Sequence, residues 1–460
     1  MYFEEILEEI SRLVWGNYLM FTLIGTGIFF TVLTRGIQFR GFILSLKELL
    51  ASIKDEKTNK LEGEGTVSAV KALCTALSSC MGNGNIVGVA TAIASGGPGA
   101  VFWMWTSGVL GMATKYAEIL IGIVYREKGE NGNYVGGPMY YLSKGLGWKK
   151  MGSLFALLML FQISGGALIQ SNAVSLVLND VFQINPLTSG VIMSIVILSV
   201  INGGIKRLAS VSEFLVPVMS LIYLTGGLVI IISNINALEY VIISIVKSAF
   251  NFTSISGGVL GYSVKQAMRF GLARGVYSNE AGEGSAPVLH SAAITTHPAR
   301  QGLFGIIEVF IDTIIMCSFT AFIVLTSGVH TSDISPALYV VKAFSSIHFT
   351  FKYIIGISMT LFAFSSILAQ WYFGNVTLTY LFNSKVASYF KYIFVLLAIL
   401  GSISSLKSVW LIQDILLGIM ILPNLVGILF LHKDVDFYTK DYFEQLKNKK
   451  EINQKYVSDR

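Results

Sequence analysis

Apolar runs of about eighteen or more residues recur along the whole chain, and each is long enough to cross a bilayer. Hydrocarbon offers no water to satisfy backbone groups, so runs of this kind must be helices. Of the 460 residues, 53% are hydrophobic and only 13% are charged. A soluble domain carries about 25% charged residues. The expected class is therefore an all-α polytopic membrane protein. About eleven transmembrane helices are expected. They fall at roughly 13–33, 66–93, 98–124, 151–178, 187–202, 208–233, 254–296, 301–328, 353–380, 387–405 and 408–431.

The chain opens MYFEEILEEISR, with glutamates at 4, 5, 8 and 9. A signal peptide needs a basic start, so no cleaved signal is expected. The polar tail after His432 is expected to fray. Cys74, Cys80 and Cys317 all lie in apolar runs, which does not suggest a disulfide framework. Lysine and arginine crowd into loops 34–65 and 125–150 and into the tail. That bias places the amino terminus outside and the carboxyl terminus in the cytoplasm. The net charge of +6 is thus topological and needs no nucleic-acid partner to explain it.

Two spans are interrupted. In the second, Met81-Gly82-Asn83-Gly84-Asn85 breaks an apolar run. Glycine is costly inside a helix, and asparagine prefers turns and caps. In the seventh, Ser278-Asn279-Glu280-Ala281-Gly282-Glu283-Gly284 cannot form a comfortable apolar helix, and Pro287 then suits the first turn of a new one. The two spans are five apart, so they run in opposite directions. Paired interruptions in two inverted halves point to a transporter's binding site. Amides freed at a half-helix amino terminus favour a carboxylate, and freed carbonyls favour a small cation. Gly82-Asn83-Gly84-Asn85 also reads as a packing patch of small residues between helices. The G-x-G-x-x-G nucleotide pattern fails here, because the third glycine, Gly88, comes one place late.

Five stretches carry a family resemblance. They are GNGNIVGVATAIASGGPGAVFWMW (82–105), GMATKYAE (111–118), GGPMYYLSKGLG (136–147), RGVYSNEAGEGSAP (274–287) and FAFSSILAQWYFGN (362–375). Together they resemble the alanine or glycine:cation symporters, and the likeness covers nearly the whole chain. The resemblance implies a LeuT-type 5+5 inverted repeat preceded by one extra helix. Residues 1–65 would hold the extra helix and a cytoplasmic loop. Residues 66–234 and 235–432 would be the two repeats, and 433–460 a cytoplasmic tail.

The same resemblance implies the site. Cys80, Gly82 and Gly84 would offer backbone to the substrate, with Asn85 bracing the turn. Gln170, Tyr277, Ser278, Asn279 and Glu280 would contact it, with Gln370 and Trp371 lining the pocket. Sodium would lie between the carbonyls of Ser78 and Met81 and the hydroxyls of Ser365 and Ser366. Hard oxygen ligands suit that ion. Serine also bonds back to its own helix, so the two hydroxyls alone leave both readings open.

The chain departs from the family pattern at Asn83, where a threonine is usual, and at Gln370, which replaces a pocket tryptophan. It departs again at Asn375, which replaces an acid. A smaller polar side chain at 370 predicts a roomier pocket able to hydrogen-bond a serine, asparagine or glutamine side chain.

Charges inside spans are costly and suggest function. Glu308 and Asp312 share one helix face and read as cavity-lining groups, as ion-coupling groups, or as a pair held by a neighbouring Ser or Asn. Lys115 and Glu118, three apart, are expected to neutralise each other. Arg269 and Arg274 read equally as gate cations or as snorkelling side chains. Glu213 and Asp414 are expected to be structural, and the five histidines show no metal spacing.

The expected function is a sodium-coupled symporter that imports a small neutral amino acid by alternating access. The substrate would be alanine, glycine or a more polar residue. The alternatives are proton coupling through Glu280, Glu308 or Asp312, and an uncoupled channel or facilitator. No filter repeat favours a channel. No G-x-S-x-G, H-E-x-x-H or Walker A string favours an enzyme or an ATP-driven pump. Sodium is the expected cotransported ion, with no organic cofactor. The expected setting is the plasma membrane of a prokaryote, with lipid as the surroundings and a monomer as the working unit.

Overall fold

The computed structural model describes residues 2–250, 257–404 and 407–458. The expected start of the seventh span at 254, the end of the tenth at 405 and the last two tail residues lie outside them. Among the described residues, eight helices are long and apolar enough to cross a membrane. The other three expected spans are shorter or more polar. One is the pair Ala69–Cys80 and Gly84–Gly96, one is Pro186–Ile201, and one is Gly257–Asn279. Large apolar side chains such as Phe21, Val32, Phe214, Leu221 and Leu396 stand exposed on the outside. Lipid is the solvent that suits such a surface.

Both interruptions form. The first helix stops at Cys80 with Met81 outside helical geometry, and the chain resumes as a wide π-helical turn over Gly84–Gly88. The second stops at Asn279. Glu280, Gly282 and Gly284 then take positive φ of 55°, 91° and 84°. Glycine tolerates that region freely, whereas Glu280 pays for it and so must be held by its surroundings. The chain re-forms a helix at Ala286–His290, with Pro287 in its first turn. A third irregularity is a π-helical stretch over Phe310–Cys317, which contains Asp312. Such bulges widen a helix and often mark functional positions.

The interrupted helix Gly257–Asn279 packs tightly on Gly99–Val124. A Cβ at Gly275 would meet Ser107 Oγ at 2.7 Å, and one at Gly111 would meet Ala281 Cβ at 2.9 Å. Small residues let helix backbones approach closely in a membrane.

Both chain ends differ from expectation. The first span begins at Asn17, after a separate helix Tyr2–Val14 that carries the glutamates. The polar tail does not fray within the described residues. It is a helix, His432–Ser458, with Val435, Thr439 and Tyr442 buried. Asp434 accepts from Tyr125 Oη at 2.7 Å, and Tyr442 Oη donates to Glu48 at 3.0 Å. Asp441 Oδ2 stands 2.9 Å from His297 Nε2. These contacts supply partners that local composition does not reveal.

Candidate functional site

The two breaks meet at the centre of the bundle. A Cβ at Gly84 would touch the Tyr277 ring at 3.3 Å and Ser278 Cα at 3.4 Å. Glycine therefore keeps the breaks in backbone contact at this point. A Cβ at Gly82 would meet Gln170 Nε2 at 2.9 Å and crowd Ser366. Gln170, on the helix Lys149–Phe182, accepts from the amide of Asn83 at 3.3 Å. The Asn83 side chain is fully buried, and neither of its polar atoms has a partner among the described residues.

At the helical end of the first break, hydroxyls and carbonyls converge. Ser366 Oγ lies 3.1 Å from Ser78 O and 3.0 Å from Ser79 O. Ser365 Oγ lies 3.3 Å from Ser78 O and also bonds back to Phe362 O at 2.8 Å. Each hydroxyl here donates to a carbonyl. Rotation of its O–H would turn both oxygens toward a shared cation. Met81, the remaining expected ligand, is buried at the end of the helix with its amide on Leu77 O.

The second break is held by charged and polar side chains. Glu280 accepts from Ser79 Oγ at 2.7 Å and from Ser285 Oγ, so its carboxylate spans both breaks. Ser278 Oγ donates to Asp312 at 2.9 Å, and Asn85 Nδ2 donates to the same carboxylate at 2.7 Å. Asn279 turns its side chain to its own turn, with Oδ1 on Ala281 N at 3.0 Å. Tyr277 lies 5.9 Å from the Trp410 ring. The Cys80 thiol donates to Glu308 Oε1 at 2.9 Å.

Gln370 lies one turn beyond Ser366 and faces Gly166, where a Cβ would meet its Nε2 and Cδ. Its Oε1 is buried without a partner among the described residues. Trp371 is buried in the apolar core.

One expectation is overturned. Lys115 does not pair with Glu118. Its ammonium lies 2.6 Å from Glu308 Oε1 and 2.6 Å from Asn279 O. Glu118 instead accepts from Gly282 N at 3.1 Å and from the Asn424 amide. Spacing along one helix names local candidates, but the strongest partners here come from across the bundle. Asp414, expected to be structural, has a partner from across the bundle. It accepts two hydrogen bonds from Arg274, at 2.9 and 2.8 Å, and so ties its helix to the one that enters the second break. Glu308 and Asp312 share a face as read, yet they serve different partners. Asp312 is held by a Ser and an Asn from neighbouring segments.

A cavity of about 520 Å³ opens above this centre, lined by Thr91, Asn172, Arg274, Pro336, Trp410 and Asp414 among others. The Arg274–Asp414 pair and Trp410 are part of this lining, and Trp410 neighbours Tyr277. Toward the tail side the second break is closed by side chains. Asn424 Nδ2 donates to Gly282 O at 2.8 Å, Tyr141 Oη bonds to Asn424, and Gln162 reaches Glu283 at 3.0 Å. Side-chain hydrogen bonds thus close the second break on the tail side, and the cavity lies beside Arg274 and Asp414.

Sequence reasoning passed over Ser79, His290, Glu283 and Asn424 as site groups. Asn424 follows a mid-helix Pro423, and Glu283 lies inside the interrupted motif. Both were signals of a kind. Nothing local marks Ser79 or His290.

Comparison with known proteins places these features. The family profile described as "Sodium:alanine symporter family" matches residues 1–456. "Sodium/alanine symporter AgcS" of Methanococcus maripaludis is 38% identical over 97% of this chain and 99% of the relative. "Probable sodium/glutamine symporter GlnT" of Bacillus subtilis is 36% identical over 96% of this chain and 92% of the relative. Among solved structures, MhsT in complex with L-phenylalanine matches with a TM-score of 0.58 at 15% identity, over 78% of this chain and 89% of that one. A manganese transporter of Eremococcus coleocola matches at 0.53 and 13%, over 80% and 79%. At such low identity these two structures establish the LeuT-type fold alone.

Proposed function

The chain belongs to the sodium:alanine symporter family, and on that footing we propose that it imports a small neutral amino acid together with sodium by alternating access. The observation that carries this reading is the convergence of the Ser365 and Ser366 hydroxyls on the Ser78 carbonyl at the first break. A sodium ion takes that oxygen set. The substrate's carboxylate takes the freed backbone around Gly82 and Gly84, with Gln170 and Tyr277 beside it. The repeats 66–234 and 235–432 supply one break each, and the bundle that holds both broken helices rocks against the remaining helices as a scaffold. In this orientation the large cavity faces outside and the tail helix lies in the cytoplasm, in keeping with the lysine and arginine bias.

The substrate is a neutral amino acid with a polar side chain, such as glutamine, asparagine or serine. Two buried amides support this. Gln370 Oε1 and both polar atoms of Asn83 lack partners, and a buried polar group left unpaired is costly. A methyl side chain cannot satisfy them, whereas a carboxamide or hydroxyl can.

The test is uptake into proteoliposomes under an inward sodium gradient, with a potassium control, labelled alanine and unlabelled competitors. Sodium-dependent uptake, with glutamine, asparagine or serine competing best, is expected. Competition dominated by alanine and glycine overturns the polar pocket. Uptake driven by an acid exterior and indifferent to sodium overturns the role of Ser365 and Ser366.

A further inference from the structure

The second break ends on a charge that does not leave. Lys115 sits in mid-helix on Gly99–Val124, with its side chain wholly buried. Its ammonium touches three groups. One is the carbonyl of Asn279, the last residue of the helix that enters the second break, at 2.6 Å. Another is Glu308 Oε1 at 2.6 Å. The third is the sulfur of Cys80, the last helical residue before the first break, at 3.4 Å. Behind Glu308, His290 Nε2 lies 3.1 Å from its second oxygen, and Gln301 lies 2.7 Å from the other ring nitrogen. His290 ends the short helix that follows the second break.

A helix carboxyl end bears partial negative charge and exposed carbonyls, which favour a cation. At the first break such carbonyls face neutral hydroxyls, which can admit an ion and release it. At the second break the carbonyl of Asn279 and the carboxylate of Glu308 are both already occupied by a tethered ammonium.

We propose that Lys115 is the fixed cation of the second break: its ammonium stands at the Asn279 carbonyl where a second transported ion would otherwise bind, and it positions the two breaks against each other through Asn279, Glu308 and Cys80. The inference rests on the symport reading and deepens it by fixing the ion count. One sodium then accompanies each amino acid, bound at the first break. Lys115 is a positioning residue, because it acts through the backbone of Asn279 and not on the substrate.

Two measurements test it. The first is the charge moved per amino acid by the wild-type protein in proteoliposomes, read from reversal potentials across a series of sodium gradients. One charge per neutral amino acid is expected, and two charges overturn the proposal. The second uses Lys115→Met combined with Glu308→Gln, which removes the pair without stranding a buried charge. Replacing a buried ion pair with uncharged groups of similar volume is often tolerated by the fold. The readout is counterflow exchange, which needs no ion gradient. If the pair were merely structural, the double variant would exchange as wild type does. The proposal expects exchange to fall by about a hundredfold at unchanged protein amount and melting temperature, because the Asn279 carbonyl is no longer held. Counterflow by the double variant within about threefold of wild type overturns it. Wild-type uptake indifferent to sodium defeats the symport reading instead, and leaves the counterflow comparison still decisive for Lys115.

Discussion

The two breaks share a position in the bundle and differ in what holds them. The first is lined mainly by glycines, hydroxyls and unpartnered amides, Gly82, Gly84, Ser365, Ser366 and Asn83, with carboxylates reaching only its flanks at Ser79 and Asn85. The second is gripped by charged side chains, with Lys115 on Asn279, Glu118 on Gly282 and Arg274 and Asp414 bonded just before it. Neutral groups exchange partners at little cost, whereas a buried charge stripped of its partner costs several kcal/mol, about 3–5 when one member of a pair is removed. The lesson is a division of labour. On the proposed reading, one break handles cargo and the other is the reference against which cargo is held.

That contrast can be attacked directly. Gly82→Val should have the largest effect, because its branched side chain must displace Ser366 and Gln170. Sodium-driven uptake should fall by about a hundredfold or more at normal protein amount. Uptake near wild type would mean that the first break is not where cargo is handled. Ser366→Ala removes one hydroxyl of the oxygen set. The half-saturating sodium concentration should rise by about tenfold, equivalent to about 1.4 kcal/mol, with uptake recovering at high sodium. An unchanged sodium curve would remove Ser366 from the ion site. Asp414→Asn leaves Arg274 charged and less well paired beside the second break. Apparent substrate affinity should weaken by about three- to tenfold while the sodium curve stays put. A shift in the sodium curve instead would blur the division between the breaks.

The smallest effect lies outside the membrane. His297 beside Asp441 holds that carboxyl below its ordinary range by hydrogen bonding. A group with a lowered folded value stabilises the fold above its unfolded value and loses that contribution as pH falls through the lowered one. Docking of the tail helix should therefore loosen progressively as pH falls from the usual aspartate range through the lowered one. Asp441→Asn should remove this acid sensitivity and shift the melting temperature by about a degree at neutral pH.

Much of this was legible in the sequence, for a physical reason. Helix breaking is a local property, so Gly82-Asn83-Gly84 and Glu280 to Gly284 announce themselves by composition. The neighbourhood of Ser366 and the first break was reached only through the family resemblance, since those positions are nearly three hundred residues apart in sequence. What stayed hidden was the pairing of buried charges. Lys115 has Glu118 three residues on, and nothing in one dimension says that Asn279 and Glu308 come closer. The partner of Asp414 stayed hidden for the same reason, because Arg274 is 140 residues away. The tail helix was hidden by its polar composition. Its order comes from buried Val435, Thr439 and Tyr442 and from Glu48 and His297 on other segments.

The cavity above Arg274 and Asp414 has one more consequence. At about 30 Å³ of liquid per molecule, its volume of about 520 Å³ holds on the order of fifteen waters. In an alternating-access cycle that water must leave each time the outer side closes and return each time it opens. On the proposed cycle, turnover should therefore respond to osmotic pressure. Solutes too large to enter the cavity would draw water out of it and favour the closed form, so turnover should vary with the osmotic strength of the medium as well as with its sodium.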